Sequence, residues 1–259
     1  MKTRIVQITD IHLTEAPGSE LYGVDTGAAL TKVIAAIHQL EEQPELIVVT
    51  GDLVEEGTQA SYQRVQSSLA TLDLPVYVLP GNHDHSHTMH KVLTDNFISY
   101  VRSTTVGKWV CVFVDSQVEG QAHGLVTASD LSRLQQTFNN DINRPVLVAL
   151  HHTPSGVCPS AGCQLQNADA FTRLLNEHSN VKAVIAGHTH TEFEVNAGSH
   201  MQFTTPSTFA QARHAQRGES EDHDDFWASH TLDGKRQGFR VLDLYDEGRI
   251  ATQVHWVGE

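Results

Sequence analysis

Five short apolar runs, each ending within a few residues in aspartate, asparagine or histidine, constrain this chain more than any other feature. Ile5–Ile8 is followed by Asp10 and His12, and Leu46–Val49 by Gly51-Asp52. Val76–Leu79 leads to Gly81-Asn82-His83-Asp84, Val146–Leu150 to His151-His152, and Val181–Ala186 to Gly187-His188-Thr189-His190. Short runs rich in Val and Ile predict strands buried on both faces. In open α/β sheets, ligands collect at the carboxyl ends of the strands. Five such ends would bring Asp, His and Asn to one spot, and glycines 51, 81 and 187 would let the backbone turn there. The 17 histidines among 259 residues add weight, because histidine is the commonest metal ligand and a proton carrier near neutral pH. Singly, Asp10-x-His12 reads as a cap and a surface histidine, and Gly51-Asp52 as a turn. Together and in this order, structural roles alone explain them poorly.

Between the runs lie helical stripes. Leu30, Val33, Ile34, Ile37 and Leu40 form one, with Asp25 or Thr26 as its N-cap. Tyr62, Val65, Leu69 and Leu72 form a second behind Thr58. Leu131, Leu134 and Phe138 form a third behind Thr127-x-x-Asp130, which resembles a capping box. Phe171, Leu174 and Leu175 form a fourth, entered through Asn167. A sixth strand-like run covers Val110–Val114. Beyond residue 190 the pattern changes to two hairpins, around Ala197-Gly198-Ser199 and Asp246-Glu247-Gly248. A polar stretch, 210–237, separates them and carries an acidic knot at 219–225, expected to be a solvated loop, a lid or a dimer contact. The expected organisation is α/β, one domain over 1–259, with candidate ligands in 1–190 and completing hairpins in 191–259.

Composition excludes several function classes. Lys+Arg total 17 against 31 Asp+Glu, a net charge of −14, which disfavours nucleic acid and anionic membranes as partners. No run of about 18 apolar residues suggests a membrane span. The chain enters a strand within its first residues, so no signal peptide is read and a cytoplasmic location is expected. Three cysteines argue against a disulfide framework. Cys158 and Cys163 are expected neither to pair nor to bind metal.

The order Asp-x-His, Gly-Asp, Gly-Asn-His-Asp, His, Gly-His-x-His resembles the calcineurin-like metallophosphoesterase superfamily over about residues 5–190. The resemblance implies a four-layer α/β/β/α sandwich with a dinuclear metal centre. Position by position, it implies one metal held by Asp10, His12, Asp52 and His190. It implies a second held by Asp52, Asn82, His151 and His188, with Asp52 bridging. His83 would face the substrate phosphate as proton donor or oxygen stabiliser, with Asp84 either orienting a histidine or capping its loop. A metal-bridging hydroxide would attack phosphorus in line. Two divalent ions less two carboxylates and a hydroxide leave roughly +1, which suits a diester bearing one negative charge. The mixed donor set suits Mn²⁺, Fe or Zn²⁺ better than Mg²⁺ or Ca²⁺.

Departures from sibling patterns narrow the substrate. Protein Ser/Thr phosphatases of the superfamily carry Arg where Gly51-Asp52-Leu53-Val54-Glu55-Glu56-Gly57 has Glu56, and a carboxylate there would repel a dianionic monoester. Gly51-Asp52-Leu53-Val54, Leu165 to Asp169 and Thr205-Pro206-Ser207-Thr208 resemble the branch of class III 3′,5′-cyclic nucleotide phosphodiesterases. Cyclic AMP hydrolysis to 5′-AMP is therefore expected. Glycerophosphodiesters or 2′,3′-cyclic nucleotides are the alternative substrates, and a non-catalytic scaffold is the alternative class. A homodimer is possible. His-His-His-Pro of many relatives reads His151-His152-Thr153-Pro154 here, which puts base and ring contacts in doubt. His152, His85, His87 and His90 are expected to form a polar rim and Trp109 to lie in the core. Phe226 and Trp227 would either stack on a nucleobase or form a dimer contact.

Overall fold

The computed structural model describes residues 1–94, 97–155, 158, 161–212 and 232–258. The acidic knot and Phe226 and Trp227 lie outside the described residues. The first half runs β1 (Lys2–Ile8), β2 (Glu20–Leu21), β3 (Val24–Asp25), α1 (Thr26–His38), β4 (Leu46–Thr50), α2 (Gln59–Ala70), β5 (Val76–Leu79), α3 (Ser86–Val92) and β6 (Ile98–Ser99). Next come β7 (Ser103–Val106), β8 (Trp109–Val114), α4 (Ala128–Asn140), β9 (Val146–Leu150), α5 (Ala168–Asn176) and β10 (Val181–Ala186). The last part holds β11 (Phe193–Asn196), β12 (Met201–Thr204), β13 (Gln211–Ala212), β14 (Leu232–Asp233), β15 (Arg236–Tyr245) and β16 (Ile250–Gly258).

Two six-stranded sheets form, in the orders β16-β15-β1-β4-β5-β6 and β11-β12-β10-β9-β8-β7. The centre of each is parallel, β1-β4-β5 in one and β8-β9-β10-β12 in the other. The two closing hairpins add antiparallel strands at one edge of each sheet, β15-β16 beside β1 and β11 beside β12.

Side-chain alternation builds the layers, since successive strand residues point to opposite faces. In β8, Trp109, Cys111 and Phe113 face the other sheet, where they meet Ile5, Leu46, Val48 and Leu79. Val110, Val112 and Val114 face the opposite way, against Leu134 and Phe138 of α4 and Phe171 and Leu175 of α5. On the outer face of the first sheet, Val6, Ile8, Ile47 and Val49 pack under Leu30, Val33 and Ile37 of α1 and Tyr62, Val65 and Leu69 of α2. Three apolar interfaces thus separate four layers, the α/β/β/α sandwich. Among the described residues no helix is long and apolar enough to cross a membrane.

Helix starts follow local chemistry. The Asp25 carboxylate accepts from the Ala28 N–H at 2.9 Å, so Asp25 rather than Thr26 caps α1. Thr58 caps α2, and Thr127 pairs reciprocally with Asp130 at the start of α4. Asn167 precedes α5, but its amide turns back to the Val126 backbone instead of capping. Helix α3 carries no apolar stripe, since Met89 alone is buried in it, and periodicity could not reveal it.

Candidate metal centre

The carboxyl ends of β1, β4 and β5 from one sheet and of β9 and β10 from the other meet at a single point. The sheets are tied there by polar bonds across them. The Gln7 amide donates to the Ala186 carbonyl at 3.0 Å, the His151 Nδ1 to the Thr50 carbonyl at 2.7 Å, and the His188 N–H to both Asp10 oxygens at 3.0 Å.

All eight predicted site residues gather at this junction, in two halves. Asp10, His12 and His190 form one, with their ligand atoms mutually close. Asn82, His151 and His188 form the other: the His151 Nε2 lies 3.1 Å from the Asn82 Oδ1 and 3.2 Å from the His188 Nδ1. Asp52 stands between them, its Oδ2 3.5 Å from the His12 Nε2 and 3.3 Å from the His151 Nε2. Asp10, His12, Asp52, His151, His188 and His190 are buried, while His83 is open to the pocket.

The local backbone is unusual. Asp10, His12, Asp52, His188 and His190 all have left-handed φ, between +47° and +72°, a region that non-glycine residues seldom adopt. The glycines divide the labour. Gly51 turns the chain with φ of +90°. Gly81 and Gly187 instead leave room: a Cβ at Gly81 would strike the Asp52 carboxylate, and one at Gly187 the Thr9 hydroxyl and Asp10 carboxylate.

Four histidines have their outer nitrogens committed to acceptors. His151 donates to Thr50, His188 to the Cys163 carbonyl at 2.8 Å, His190 to the Ala210 carbonyl at 2.9 Å, and His12 to the Glu55 Oε2 at 2.8 Å. A carbonyl or carboxylate accepting from one ring nitrogen fixes the tautomer and leaves the other nitrogen as a bare lone pair. The inner nitrogens then face each other, His12 Nε2 to His190 Nε2 and His151 Nε2 to His188 Nδ1, both at 3.2 Å. With both rings neutral, two lone pairs would repel at that separation, and either a proton on one ring, as on His151, or a metal cation held with the carboxylates relieves the repulsion. The donor set and its tautomers therefore fit metal ions.

Electrostatics agree. Burial, then the neighbouring charge on His151, lowers the His188 pKa to about 3, and burial and His12 hold His190 well below the usual range. Both are neutral at pH 7, with a ring nitrogen able to act as a ligand. Burial would lower His151, but Asp52 outweighs it and raises it to about 9. Burial would likewise raise Asp52, but His151 and His83 hold it well below the ordinary carboxylate range. A proton on His151 thus does, without metal, what a cation would do beside Asp52.

Several side chains differ from their sequence readings. Glu55 was not singled out, yet its Oε2 holds His12 and lies 3.4 Å from the His83 Nδ1. Its signal was present three residues after Asp52, but a loop's phase cannot be read from sequence. Glu56 points away and accepts from the Glu15 N–H at 2.9 Å, so the supposed repulsion of monoesters at Glu56 has no structural basis. Asp84 accepts from the Gly81 and Leu53 N–H groups and the Tyr62 hydroxyl, which makes it a loop cap and not a histidine partner. His152 is fully buried against the Ser116 hydroxyl at 2.9 Å, not on a rim. His85 caps α3 and His90 stacks on Tyr100. Trp109 is in the core. Cys158 and Cys163 are joined as a disulfide, against the expectation from an odd cysteine count. The short turn at 161–163 brings their Cα atoms within 6.3 Å, a local closure that composition cannot reveal.

A pocket of about 100 Å³ opens over the cluster, lined on one side by His12, Asp52, Asn82, His83, His188 and His190. A larger groove of about 510 Å³ beside β16 contains Arg4 and Asp243, which already satisfy each other at 2.7 Å.

A two-sheet sandwich whose strand ends converge on carboxylates and tautomer-locked histidines defines a metal-dependent phosphoesterase. The chain belongs to the calcineurin-like phosphoesterase family, whose model matches residues 3–192. It is 32% identical to the 3′,5′-cyclic adenosine monophosphate phosphodiesterase CpdA of Escherichia coli (strain K12), over 98% of this chain and 90% of that one. It is 31% identical to the 3′,5′-cyclic-nucleotide phosphodiesterase alr5338 of Nostoc sp., over 98% and 92%. Among solved structures, a dimetal phosphatase from Danio rerio shares the fold with a TM-score of 0.72 at 13% identity, over 99% of this chain and 98% of that one.

Proposed function

We propose that the chain is a dinuclear-metal phosphodiesterase that hydrolyses 3′,5′-cyclic AMP to 5′-AMP. The observation that carries this reading is the two pairs of imidazole nitrogens that face each other at 3.2 Å on either side of Asp52, their outer nitrogens already committed to acceptors. In this reading Asp10, His12, Asp52 and His190 hold one ion, and Asp52, Asn82, His151 and His188 the other. Manganese or iron suits the mixed donors best, with zinc next. The names of the relatives support the cyclic nucleotide as substrate. The apolar interface shared by both sheets supports reading 1–259 as one domain.

Bound there, two divalent ions would ionise a water for in-line attack and neutralise the phosphoryl oxygens. The remaining work falls to the chain. Hydrolysis to 5′-AMP breaks the bond between phosphorus and the 3′ oxygen, and the leaving alkoxide needs a proton. His83 lines the pocket, its Nδ1 turned to Glu55, which leaves Nε2 to donate. Its backbone N–H donates to the Asp52 Oδ1 at 2.9 Å, which fixes the ring's base beside that carboxylate. Glu55 orients both His12 and His83, one carboxylate serving a metal ligand and a proton donor.

The test strips the protein with chelator, restores Mn²⁺ or Fe²⁺, and compares 3′,5′-cyclic AMP, 2′,3′-cyclic AMP, a glycerophosphodiester and a chromogenic diester. Metal-dependent turnover with 3′,5′-cyclic AMP preferred is expected. Preference for a glycerophosphodiester or a 2′,3′-cyclic nucleotide would overturn the substrate, and no turnover of any diester would leave a scaffold.

A further inference from the structure

Beyond the metal-facing wall, the same pocket has an apolar wall made by Leu21, Tyr22, Phe209 and Leu232. Resting on the cyclic-nucleotide reading above, we infer that Tyr22 is the platform on which the nucleobase stacks, with these neighbours closing the subsite. Two independent observations point there. Tyr22 is 63% exposed, so folding alone gives an aromatic ring no reason to stand at this place. It also has a left-handed backbone, with φ of +50°.

Among the described residues seven non-glycine positions have such a φ. Five are the site residues Asp10, His12, Asp52, His188 and His190, and Tyr22 lines the pocket above them. The seventh, Asp73, is a residue type that tolerates this conformation. Tyr22 and Gly23 are the two central residues of the β2–β3 hairpin, both with positive φ, where a turn of this kind favours Asn-Gly. A bulky residue there is strained, and strain of this sort persists where the surroundings enforce it, often at ligand sites.

The surroundings do enforce it. Asp25 at the hairpin's end caps α1, and the Thr26 hydroxyl accepts from the Thr14 N–H at 3.2 Å. Gly234, just past β14, lies so close to Val24 that a Cβ would clash with its side chain. The hairpin is thereby wedged across from Leu232, and Tyr22 lines the same pocket as the histidines and Asp52. A cyclic nucleotide matches both walls: an anionic diester for the histidine side and a flat heteroaromatic base for the apolar side.

Manganese-loaded wild type, Tyr22→Ala, Tyr22→Asn and Tyr22→Phe are compared on 3′,5′-cyclic AMP and on glycerophosphoethanolamine, which has no base. Loss of a stacked base predicts an about tenfold rise in KM for cyclic AMP in the Ala and Asn variants, little change in kcat, and near wild-type KM for the Phe variant. The ratio of kcat/KM for cyclic AMP over the base-free diester falls about tenfold in the same two. Tyr22→Asn keeps the thermal midpoint of wild type or exceeds it, because asparagine suits the turn. If wild type cleaves cyclic AMP but the variants lose equally on both diesters, or lose nothing, the subsite is wrong while the activity stands. If wild type cleaves the base-free diester alone, the cyclic-nucleotide reading falls and takes the subsite with it.

Discussion

His83 and Glu55 show how much one atom's partner decides. With Nδ1 near Glu55, His83 offers its other nitrogen to a leaving oxygen. His83→Ala should keep both metals yet lose about 10²–10⁴-fold on an alkoxide leaving group, and far less on a nitrophenolate, because only the former needs its proton. Equal losses on the two substrates, measured in parallel assays, would remove the donor role. Glu55→Ala should cost the first metal about 10–100-fold in affinity by freeing the outer nitrogen of His12. Glu56→Ala, whose carboxylate serves only the Glu15 backbone among these groups, should leave that affinity alone. Metal titration of the two variants reads the difference. Asn82→Ala should weaken the second ion and depress turnover, seen as substoichiometric metal with lowered kcat.

At the scale of elements, the strand ends carry the centre, and the glycines beside them set its tolerance. Gly81→Ala would press a methyl into the Asp52 carboxylate. The expected result is a loss of about 1–3 kcal/mol in stability together with lost metal uptake, read by thermal melts and metal titration. A folded variant with two metals would show that the close approach is dispensable. The strands were legible because buried runs of Val and Ile are unlike their flanks: Val76–Leu79, Val146–Leu150 and Val181–Ala186 coincide with β5, β9 and β10. The side chains at their ends were legible for the same reason, since polar residues directly after such runs stand out. Other features leave no trace of residue type. The carbonyls of Thr50, Cys163 and Ala210 that fix the histidine tautomers could belong to any residue. Helix α3 lacks an apolar stripe, and the phase that turns Glu55 inward and Glu56 outward depends on the loop's path.

For the whole molecule, protons and the proposed metals would compete for one cage. In the metal-free protein burial lowers His188 to about 3 and His200 to about 4, both below the ordinary 6.5. The unfolded chain then binds more protons than the folded one as pH drops below 6.5, so stability falls over that window until about pH 3–4. Asp52, held low by His151 and His83 against its burial, adds to the loss on the acid side. Asp10, raised to about 6, and Asp84, raised to about 7, both by burial and by Asp52, act in the opposite sense above 3.8. They are outnumbered once His190 and His152, which burial holds well below the usual range, are counted with His188 and His200. His151, raised to about 9, contributes stability that is complete below 6.5 and disappears as pH rises through 9. Melting scans of metal-free protein should therefore peak between about pH 6.5 and 7.5 and decline on both sides. Metal uptake displaces the His151 proton, so apparent affinity should climb with pH up to about 9. An affinity that falls with pH over that range would contradict the cage.

An anomalous-difference map from a crystal grown with Mn²⁺ tests the dinuclear cage most directly. Two peaks about 3.5–4 Å apart are predicted, one on each side of Asp52, the first beside His12 and His190 and the second beside His151 and His188. A single peak, or manganese bound away from Asp52, would contradict it.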